Sequence, residues 1–358
     1  MIYYLIYYKK LLIFIVLIGV YFQSYSQYTD QINSNRPGLS VGAFSVGKRV
    51  IQIETGLEYR KYKHKSYNNS KSIGKVSFLS IRYGFLKEQL EVVYDGIFMF
   101  DKLTNKNTIP NLEYKRQGFL TNFIGFKYLF FDPFKKEKEI NLYSWKANQF
   151  KIKDLLPAIS LTLGTNFSSE KNKYPLNDVF DILYKPFLYS TTKIPLKKNS
   201  IVSGKGILAT QSHFLGTWVF VTNFIVNRIL TDDIEKSYIL TLTHTFDPKW
   251  SMYIENQGFI SEIYNDNLFK FGGAYLFNND LQFESSLGIN TKNTPSSFIV
   301  NFGASYRLDF HQDINPEILK EERELRKLDK NERKVQKKSD RENRKADRRA
   351  KKKPKKND

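Results

Sequence analysis

Two segments decide the fold: LQFESSLGIN, residues 281–290, and FIVNFGASYRLDF, residues 298–310. In both, apolar and polar side chains alternate, which is the period of two expected of a β-strand with one apolar and one polar face. Each segment is about as long as the roughly 9 to 11 residues that a tilted strand needs to cross a bilayer. The two segments therefore predict a β-barrel that spans a membrane.

The same pattern recurs along the chain and predicts an all-β fold, an antiparallel transmembrane β-barrel of about twelve strands. The predicted strands cover approximately residues 49–63, 74–86, 89–101, 117–130, 156–167, 201–214, 216–230, 235–246, 249–263, 267–277, 281–291 and 297–309.

The connections between these strands predict the orientation of the barrel. Tight turns follow the second, sixth, eighth and tenth strands, and longer polar loops follow the first, third, fifth, ninth and eleventh. Bacterial barrels have short periplasmic turns and long outer loops, so both ends of the barrel are expected in the periplasm. The long basic stretch 131–155 falls on the short-turn side. It is either a periplasmic insertion or a sign that the strand count is wrong there.

The amino terminus has the layout of a secretory signal peptide. A basic pair at residues 9–10 precedes the apolar run 11–22 and the small-residue pattern 24–26, so we expect cleavage between Ser26 and Gln27. An uncleaved anchor is the alternative, but the run is shorter than the roughly 18 apolar residues of a spanning helix. The predicted organisation is a signal peptide at 1–26, an N-terminal periplasmic segment at 27–48, an outer-membrane barrel at 49–310 and a basic periplasmic tail at 311–358.

The composition agrees with a barrel and excludes cysteine chemistry. Aromatic residues make up 15% of the chain, with 29 Phe and 23 Tyr, which is the excess that two interfacial girdles require. A hydrophobic fraction of 41% fits strands that turn half of their side chains to a polar lumen. The chain has no cysteine, so disulfides, thiolate metal sites and cysteine nucleophiles are ruled out.

Residues with catalytic potential are sparse. The histidines, at 64, 213, 244 and 311, lack metal-ligand spacing, and we identify no phosphate loop or nucleophile elbow. Ser212 and His213 are adjacent and point to opposite faces of a strand, so they cannot pair directly. His244 lies on the apolar face of its strand, where an interfacial position is expected. No catalytic residue, cofactor or metal is predicted.

The polar faces of the strands are expected to line the lumen with charges of both signs. Such charges either act on permeating solutes or pair into a ladder that closes the lumen. The predicted lumen residues are Glu54, Glu58, Arg60, Arg82, Glu91, Asp95, Lys127, Glu255, Gln282, Glu284, Arg307 and Asp309.

The last 46 residues, 313–358, have a different composition. They contain nineteen Lys and Arg against eleven Asp and Glu, a net charge of +8, and few apolar residues. A basic arm that is partly helical or disordered is expected, because so little apolar surface cannot offset the entropy of ordering. Export argues against nucleic acid as a partner. Peptidoglycan or other anionic envelope polymers are expected instead, and a merely solvated charge run is the alternative.

Several motifs, in their order and spacing, resemble a known family. They are Asn35-Arg36-Pro37-Gly38, Gln52-Ile53-Glu54-Thr55-Gly56, Ile81-Arg82-Tyr83-Gly84, Gly125-Phe126-Lys127-Tyr128, residues 250–255, 272–275 and 281–284, and Gly303-Ala304-Ser305-Tyr306-Arg307. Spread over most of residues 34–309, they resemble the outer-membrane transporter-like barrels grouped under the meta-pathway of phenol degradation. The resemblance implies a barrel that passes small solutes, including apolar or aromatic ones. It marks Arg36, Pro37 and Gly38 as the N-terminal motif.

Three function classes remain open. A channel or transporter for small solutes in the outer membrane of a diderm bacterium is favoured, ahead of an envelope-tethering barrel with a closed lumen. A lipid-modifying outer-membrane enzyme comes third. The expected partners are outer-membrane lipid, a small solute and the barrel-assembly machinery, because residues 301–308 look like an assembly signal in the last strand.

Overall fold

Twelve antiparallel strands close into one barrel in the computed structural model, each strand pairing with its neighbours in sequence and the first with the last. The structure describes residues 31–36, 38–65, 69–107, 109–135, 156–168, 174, 202–231, 234–260, 265–311, 332–333 and 336–337. The strands are β1 (Val50–His64), β2 (Ser70–Gly84), β3 (Leu90–Asn105), β4 (Leu112–Phe131), β5 (Ala158–Phe167), β6 (Val202–Phe214), β7 (Trp218–Ile229), β8 (Glu235–Asp247), β9 (Trp250–Ile260), β10 (Asn265–Asn278), β11 (Leu281–Asn290) and β12 (Ser296–Asp309).

The predicted fold class and strand number are confirmed, and the largest differences are at the starts of β2 and β4 and at the end of β3, which is Asn105 and not the predicted 101. β2 begins at Ser70 and β4 at Leu112, ahead of the predicted starts at 74 and 117. In β4 the added residues, 112–115, are exposed on both sides of the strand. Side chains that meet water on both faces lose the apolar and polar alternation by which strand ends are recognised.

The tight turns share one rim of the barrel with the start of β1 and the end of β12, as predicted. They connect β2 to β3, β6 to β7, β8 to β9 and β10 to β11. The connection from β4 to β5 starts on the same rim with a short 3₁₀ helix, Pro133–Lys135, and its residues 136–155 lie outside the described part of the chain. Since twelve strands close the barrel, this connection is an insertion between β4 and β5, and the predicted strand count is correct.

The outer wall of the barrel is apolar. Leu57 on β1 and Phe302 on β12 lie opposite each other, with 68% and 63% of their surfaces exposed, and Ile254, Phe271 and Leu287 extend the same surface. Apolar surface of this extent around a closed barrel is stable only in contact with hydrocarbon. The protein is therefore a membrane β-barrel, and bacterial barrels of this type lie in the outer membrane.

Aromatic rings collect at the rim that carries the tight turns. Trp218 stacks on His244 with ring centroids 4.2 Å apart and lies 6.4 Å from Phe214, while Trp250 and Tyr275 pair at 4.6 Å. Rings of this kind belong at the boundary between hydrocarbon and water. His244 lies in this belt, as its position on the apolar face of β8 predicted.

Residues 311–358 form a second unit, separate from residues 1–310. Its described residues 332–333 and 336–337 are α-helical. The predicted signal peptide at 1–26 lies outside the described residues. In the part of the chain that the structure describes, no helix has the length and apolar character needed to span a membrane.

Candidate functional site

Most of the predicted lumen residues are buried inside the barrel. The buried ones are Glu54, Glu58, Arg60, Arg82, Glu91, Lys127, Glu255, Glu284 and Arg307. Asp95 and Gln282 are half-buried, and Asp309 is exposed at the end of β12. The lumen is therefore the place to look for function, and the partners of these charges decide what it can do.

The lumen contains the stretch that precedes β1, residues 31–48, which we call the luminal segment. It starts at the rim of tight turns, where Ile32 N donates to Asn279 O at 2.8 Å, and returns there, where Lys48 N donates to a Glu88 carboxylate oxygen at 2.8 Å. Between these points it crosses the interior. The sequence predicted a periplasmic segment at 27–48, and the structure places the described residues from 31 onward within the barrel.

Carboxylates of the barrel wall accept hydrogen bonds from the backbone of the luminal segment. The bonds run from Asn35 N to Glu54 Oε1 at 3.1 Å, from Leu39 N to Glu255 Oε2 at 2.9 Å and from Val46 N to Glu91 Oε2 at 2.8 Å. Buried backbone groups outside regular structure need such partners, and bonds to a charged group are stronger than neutral ones.

Amides and cations of the wall bind the remaining backbone groups of the segment. Asn223 bonds both the N–H and the carbonyl of Val41 at 2.6 and 2.8 Å, Gln211 accepts from Ala43 N at 2.9 Å, and Arg82 and Lys127 donate to Phe44 O at 2.9 and 2.7 Å. The sequence left two roles open for the lumen charges: acting on permeating solutes, or pairing into a ladder that closes the lumen. These charges pair with one another and also hold a peptide across the lumen.

One buried cluster of charges joins Arg82 on β2, Glu91 on β3 and Lys127 on β4. Arg82 Nε and Nη2 lie 3.0 and 3.1 Å from the two Glu91 oxygens, and Lys127 Nζ lies 3.1 Å from Glu91 Oε1. All three side chains are at most 1% exposed. Burial of charges is costly unless they are paired and hydrogen-bonded, and here each has several partners.

The half of the lumen away from the tight turns contains a cluster of inward-facing apolar side chains, which the sequence analysis did not predict. The inward cluster consists of Tyr62, Val76, Met99, Leu103, Leu120, Tyr174, Phe259, Leu268 and Ile299. The sequence contained one signal for an inward apolar residue. Phe298-Ile299-Val300 is apolar at three consecutive positions, which a strand with one polar face does not allow. We name this group the apolar seal.

Tyr174, from the long connection between β5 and β6, anchors that connection in the apolar seal. Its hydroxyl bonds Asp101 on β3, which also accepts from Ser72 at 2.7 Å and from Arg116 Nε at 2.9 Å. Burial raises the pKa of Tyr174 well above its usual range, and the Asp101 charge adds to the effect. The hydroxyl therefore stays protonated at neutral pH and donates to the carboxylate.

Among the cavities formed by the described residues, two lie inside the barrel and share part of their lining. The upper cavity, about 90 Å³, faces the apolar seal, and its apolar lining includes Ile207, Ile225 and Ile239. The lower cavity, about 190 Å³, faces the tight turns. Asn35, Arg36 and Gly38 line both cavities. Within the described residues, this short piece of the luminal segment is the partition between them.

The N-terminal motif therefore forms the partition. The Arg36 guanidinium lies over the Phe78 ring, 4.0 Å from its centroid, and Gln282 donates to Arg36 O at 3.3 Å. A β-carbon at Gly38 would overlap with the Glu255 carboxylate, so a larger residue here would have to displace the side chain that accepts from Leu39 N. Pro37 lies outside the described residues.

A comparison with protein families gives one match, to the family described as "Putative MetA-pathway of phenol degradation", over residues 34–179 and 195–308. The chain belongs to this family. The match includes the luminal segment from Ser34 onward as well as the strands, so the partition is part of the family region. The resemblance predicted from the motifs is confirmed.

Solved structures similar to this member of the phenol-degradation family are outer-membrane barrels. An outer membrane channel from Pseudomonas putida F1 has 10% identity and a TM-score of 0.45, covering 78% of this chain and all of its own. The translocator domain of the autotransporter NalP from Neisseria meningitidis has 6% identity and a TM-score of 0.42, covering 76% and 90%. The Pseudomonas putida toluene transporter TodX has 8% identity and a TM-score of 0.39, covering 80% and 95%. A comparison with curated proteins gives no match.

The candidate serine and histidine of this family member do not come together. His213 bonds the Gln211 side chain at 2.9 Å and packs against Phe44 and Phe134 at the inner rim. Gln211 and His213 share a strand face, so Ser212 between them points to the other side of the wall.

Proposed function

We propose that the protein is an outer-membrane channel for small solutes, and that residues 33–38 of the luminal segment are its gate. The observation that carries the proposal is the partition: Asn35, Arg36 and Gly38 separate two cavities that lie one above the other in the lumen. Movement of this short piece would join the cavities into one path that starts at the periplasmic rim.

The distribution of bonds supports a local gate. Residues 39–46 are held by Glu255, Asn223, Gln211 and the paired charges of Arg82, Glu91 and Lys127. Within the gate, Asn35 N donates to Glu54 and Asn33 O accepts from Arg82, while Ser34 and Arg36 are held by a hydroxyl pair with Ser305 and by the longer bond from Gln282. Bonds to charged groups contribute about 1.5 to 3 kcal/mol each and neutral ones about 1 kcal/mol, so residues 33–36, which make fewer bonds to charged groups than residues 39–46, are expected to move first.

Size and lining support small, compact solutes. The upper cavity is walled by aliphatic side chains, and Leu39 and Val41 of the segment pack against Ile207, Ile225 and Ile239. Such a wall favours an apolar body over a sugar or a peptide. A single ring, as in the phenol named in the family description, is the size we propose.

The absence of cysteine from the chain allows a direct test of the gate. Ser34 Oγ and Ser305 Oγ lie 2.7 Å apart, close enough for Ser34→Cys and Ser305→Cys to form a disulfide between the gate and β12. In liposomes, the oxidised double variant should lose solute flux, and a reductant should restore it. Each single variant, treated with the same oxidant, should keep its flux. Equal flux through the oxidised and reduced double variant would contradict the gate.

A structural barrel with a permanently closed lumen is the second candidate, favoured by the apolar seal and the filled lumen of the described residues. It predicts no solute flux through the wild-type protein in liposomes, oxidised or reduced. The flux measurement on the wild type therefore separates the two functions before any variant is made.

For the basic tail we propose a periplasmic arm that binds an anionic envelope polymer such as peptidoglycan. Its net charge of +8 over residues 313–358 supports this, since many weak Lys and Arg contacts add up on a polyanion.

A further inference from the structure

Four polar side-chain atoms, each on a residue that lines the upper cavity, have no hydrogen-bond partner among the described residues. They are Glu54 Oε2, Thr162 Oγ1, Gln257 Oε1 and Arg36 Nη1. Glu54, Thr162 and Gln257 are 1%, 2% and 0% exposed. The partner carboxylate oxygen, Glu54 Oε1, is occupied by Asn35 N and Gln52 Nε2. Buried polar atoms are nearly always bonded in folded proteins, so a cluster of unbonded ones around a cavity indicates a ligand site.

The apolar part of the wall gives the site its second requirement. Leu39, Val41, Ile207, Ile225 and Ile239 surround the cavity and offer no hydrogen bond through their side chains. Only one aromatic ring, Phe123, lines the cavity among the described residues, and Lys205 Nζ lies 5.5 Å from its centroid. The wall therefore selects for an apolar body without requiring that body to be aromatic.

The charges around the cavity decide the charge of the occupant. Glu54 and Asp95 carry negative charges, and Arg36 and Lys205 carry positive ones, so the lining is balanced. An ionic occupant would add an uncompensated buried charge. A hydrocarbon would leave all four polar atoms unbonded. A hydroxyl group suits the site, because it donates to Glu54 or Gln257 while its two lone pairs accept from Arg36 and from the Thr162 hydroxyl.

Building on the proposed channel function, we infer that the upper cavity is a binding site for a small uncharged alcohol with a compact apolar body. Its volume of about 90 Å³ limits the body to at most a single ring, and a ring requires the wall of the cavity to move outward. For comparison, a cavity of roughly 150 Å³ holds benzene. The site therefore selects a solute that has a hydroxyl group and no charge. The ring of that solute is either aliphatic or aromatic.

The first test measures the affinity of the purified, folded full chain for three matched probes: cyclohexanol, cyclohexane and cyclohexanecarboxylate. Calorimetry in detergent, with empty micelles subtracted, should show cyclohexanol binding about tenfold or more tightly than the other two. The reason is that the hydrocarbon leaves buried polar atoms unbonded and the carboxylate adds a charge. Equal affinity for cyclohexanol and cyclohexane would overturn the inference.

The second test uses two hydroxyls of β5 that share a strand face. Thr162 and Ser160 are both buried and neither hydroxyl has a partner among the described residues, but only Thr162 lines the cavity. Thr162→Val should weaken cyclohexanol binding about tenfold while the resistance of the barrel to heat stays equal or rises. Ser160→Ala should leave the affinity unchanged. Equal weakening by both variants, or none by Thr162→Val, would overturn the site.

The two proposals fail in different ways. If the site is wrong, cyclohexanol binding is lost or unselective while the disulfide between residues 34 and 305 still stops flux. If the channel function is wrong, no flux is found, yet cyclohexanol binding and its loss in Thr162→Val remain.

Discussion

At the scale of single residues, Glu91 joins the paired charges of the lumen to the luminal segment. It neutralises Arg82 and Lys127 and accepts a bond from the luminal segment at Val46. The sequence placed all three charged residues in the lumen, because alternation fixes the face of a strand. Their partners could not be predicted, since pairing depends on the register between neighbouring strands and on a segment without any periodicity.

The first residue-scale prediction concerns Glu91→Gln. Loss of the carboxylate charge leaves Arg82 and Lys127 as buried cations, which should lower the free energy of unfolding by about 3 to 5 kcal/mol. The matched control is Glu113→Gln, which breaks a pair with Lys102 whose side chains are both 47% exposed, and should cost about 1 kcal/mol or less. Denaturation followed by the heat-modifiable band on gels measures both. Similar losses for the two variants would contradict the role given to Glu91.

At the scale of elements, the strands were predictable and the luminal segment was not. Strand positions follow from a local period of two, and the turn lengths gave the orientation of the rims. The segment gives no such signal because its backbone bonds side chains far away in sequence, such as Glu255 and Asn223. The apolar seal was missed for a related reason, since inward apolar residues such as Met99 and Ile299 look like lipid-facing ones in a sequence.

The prediction for elements tests the depth of β12 in the bilayer. Phe302, 63% exposed on the outer wall, should meet hydrocarbon, so Phe302→Arg should cost about 2 to 4 kcal/mol. Phe310, just past the end of β12 and 58% exposed, should lie near the interface, where the same substitution costs roughly 0 to 1 kcal/mol. Unfolding in lipid vesicles measures the difference. A larger loss for Phe310→Arg would mean that the barrel is placed wrongly in the membrane.

At the scale of the whole molecule, the barrel should not depend on the tail. A chain that ends at Gln312 keeps all twelve strands and should insert and migrate like the full-length protein. The isolated tail should sediment with peptidoglycan at low salt and be released at high salt, because the Debye length falls from about 10 Å at 0.1 M to about 3 Å at 1 M. Failure of the truncated barrel to fold would show that the tail belongs to the fold. Absence of binding at low salt would leave a solvated charge run.

The route of the luminal segment also has a mechanical consequence for the barrel as a whole. Asn35 is bonded to Glu54 on β1, and Val41 to Asn223 on β7. In a closed ring of twelve strands, β1 and β7 stand half a circumference apart, so the segment connects opposite sides of the barrel wall. While these bonds are in place, the luminal segment holds the two sides of the barrel at a fixed distance. When the bonds break, we expect the cross-section of the barrel to become less stiff.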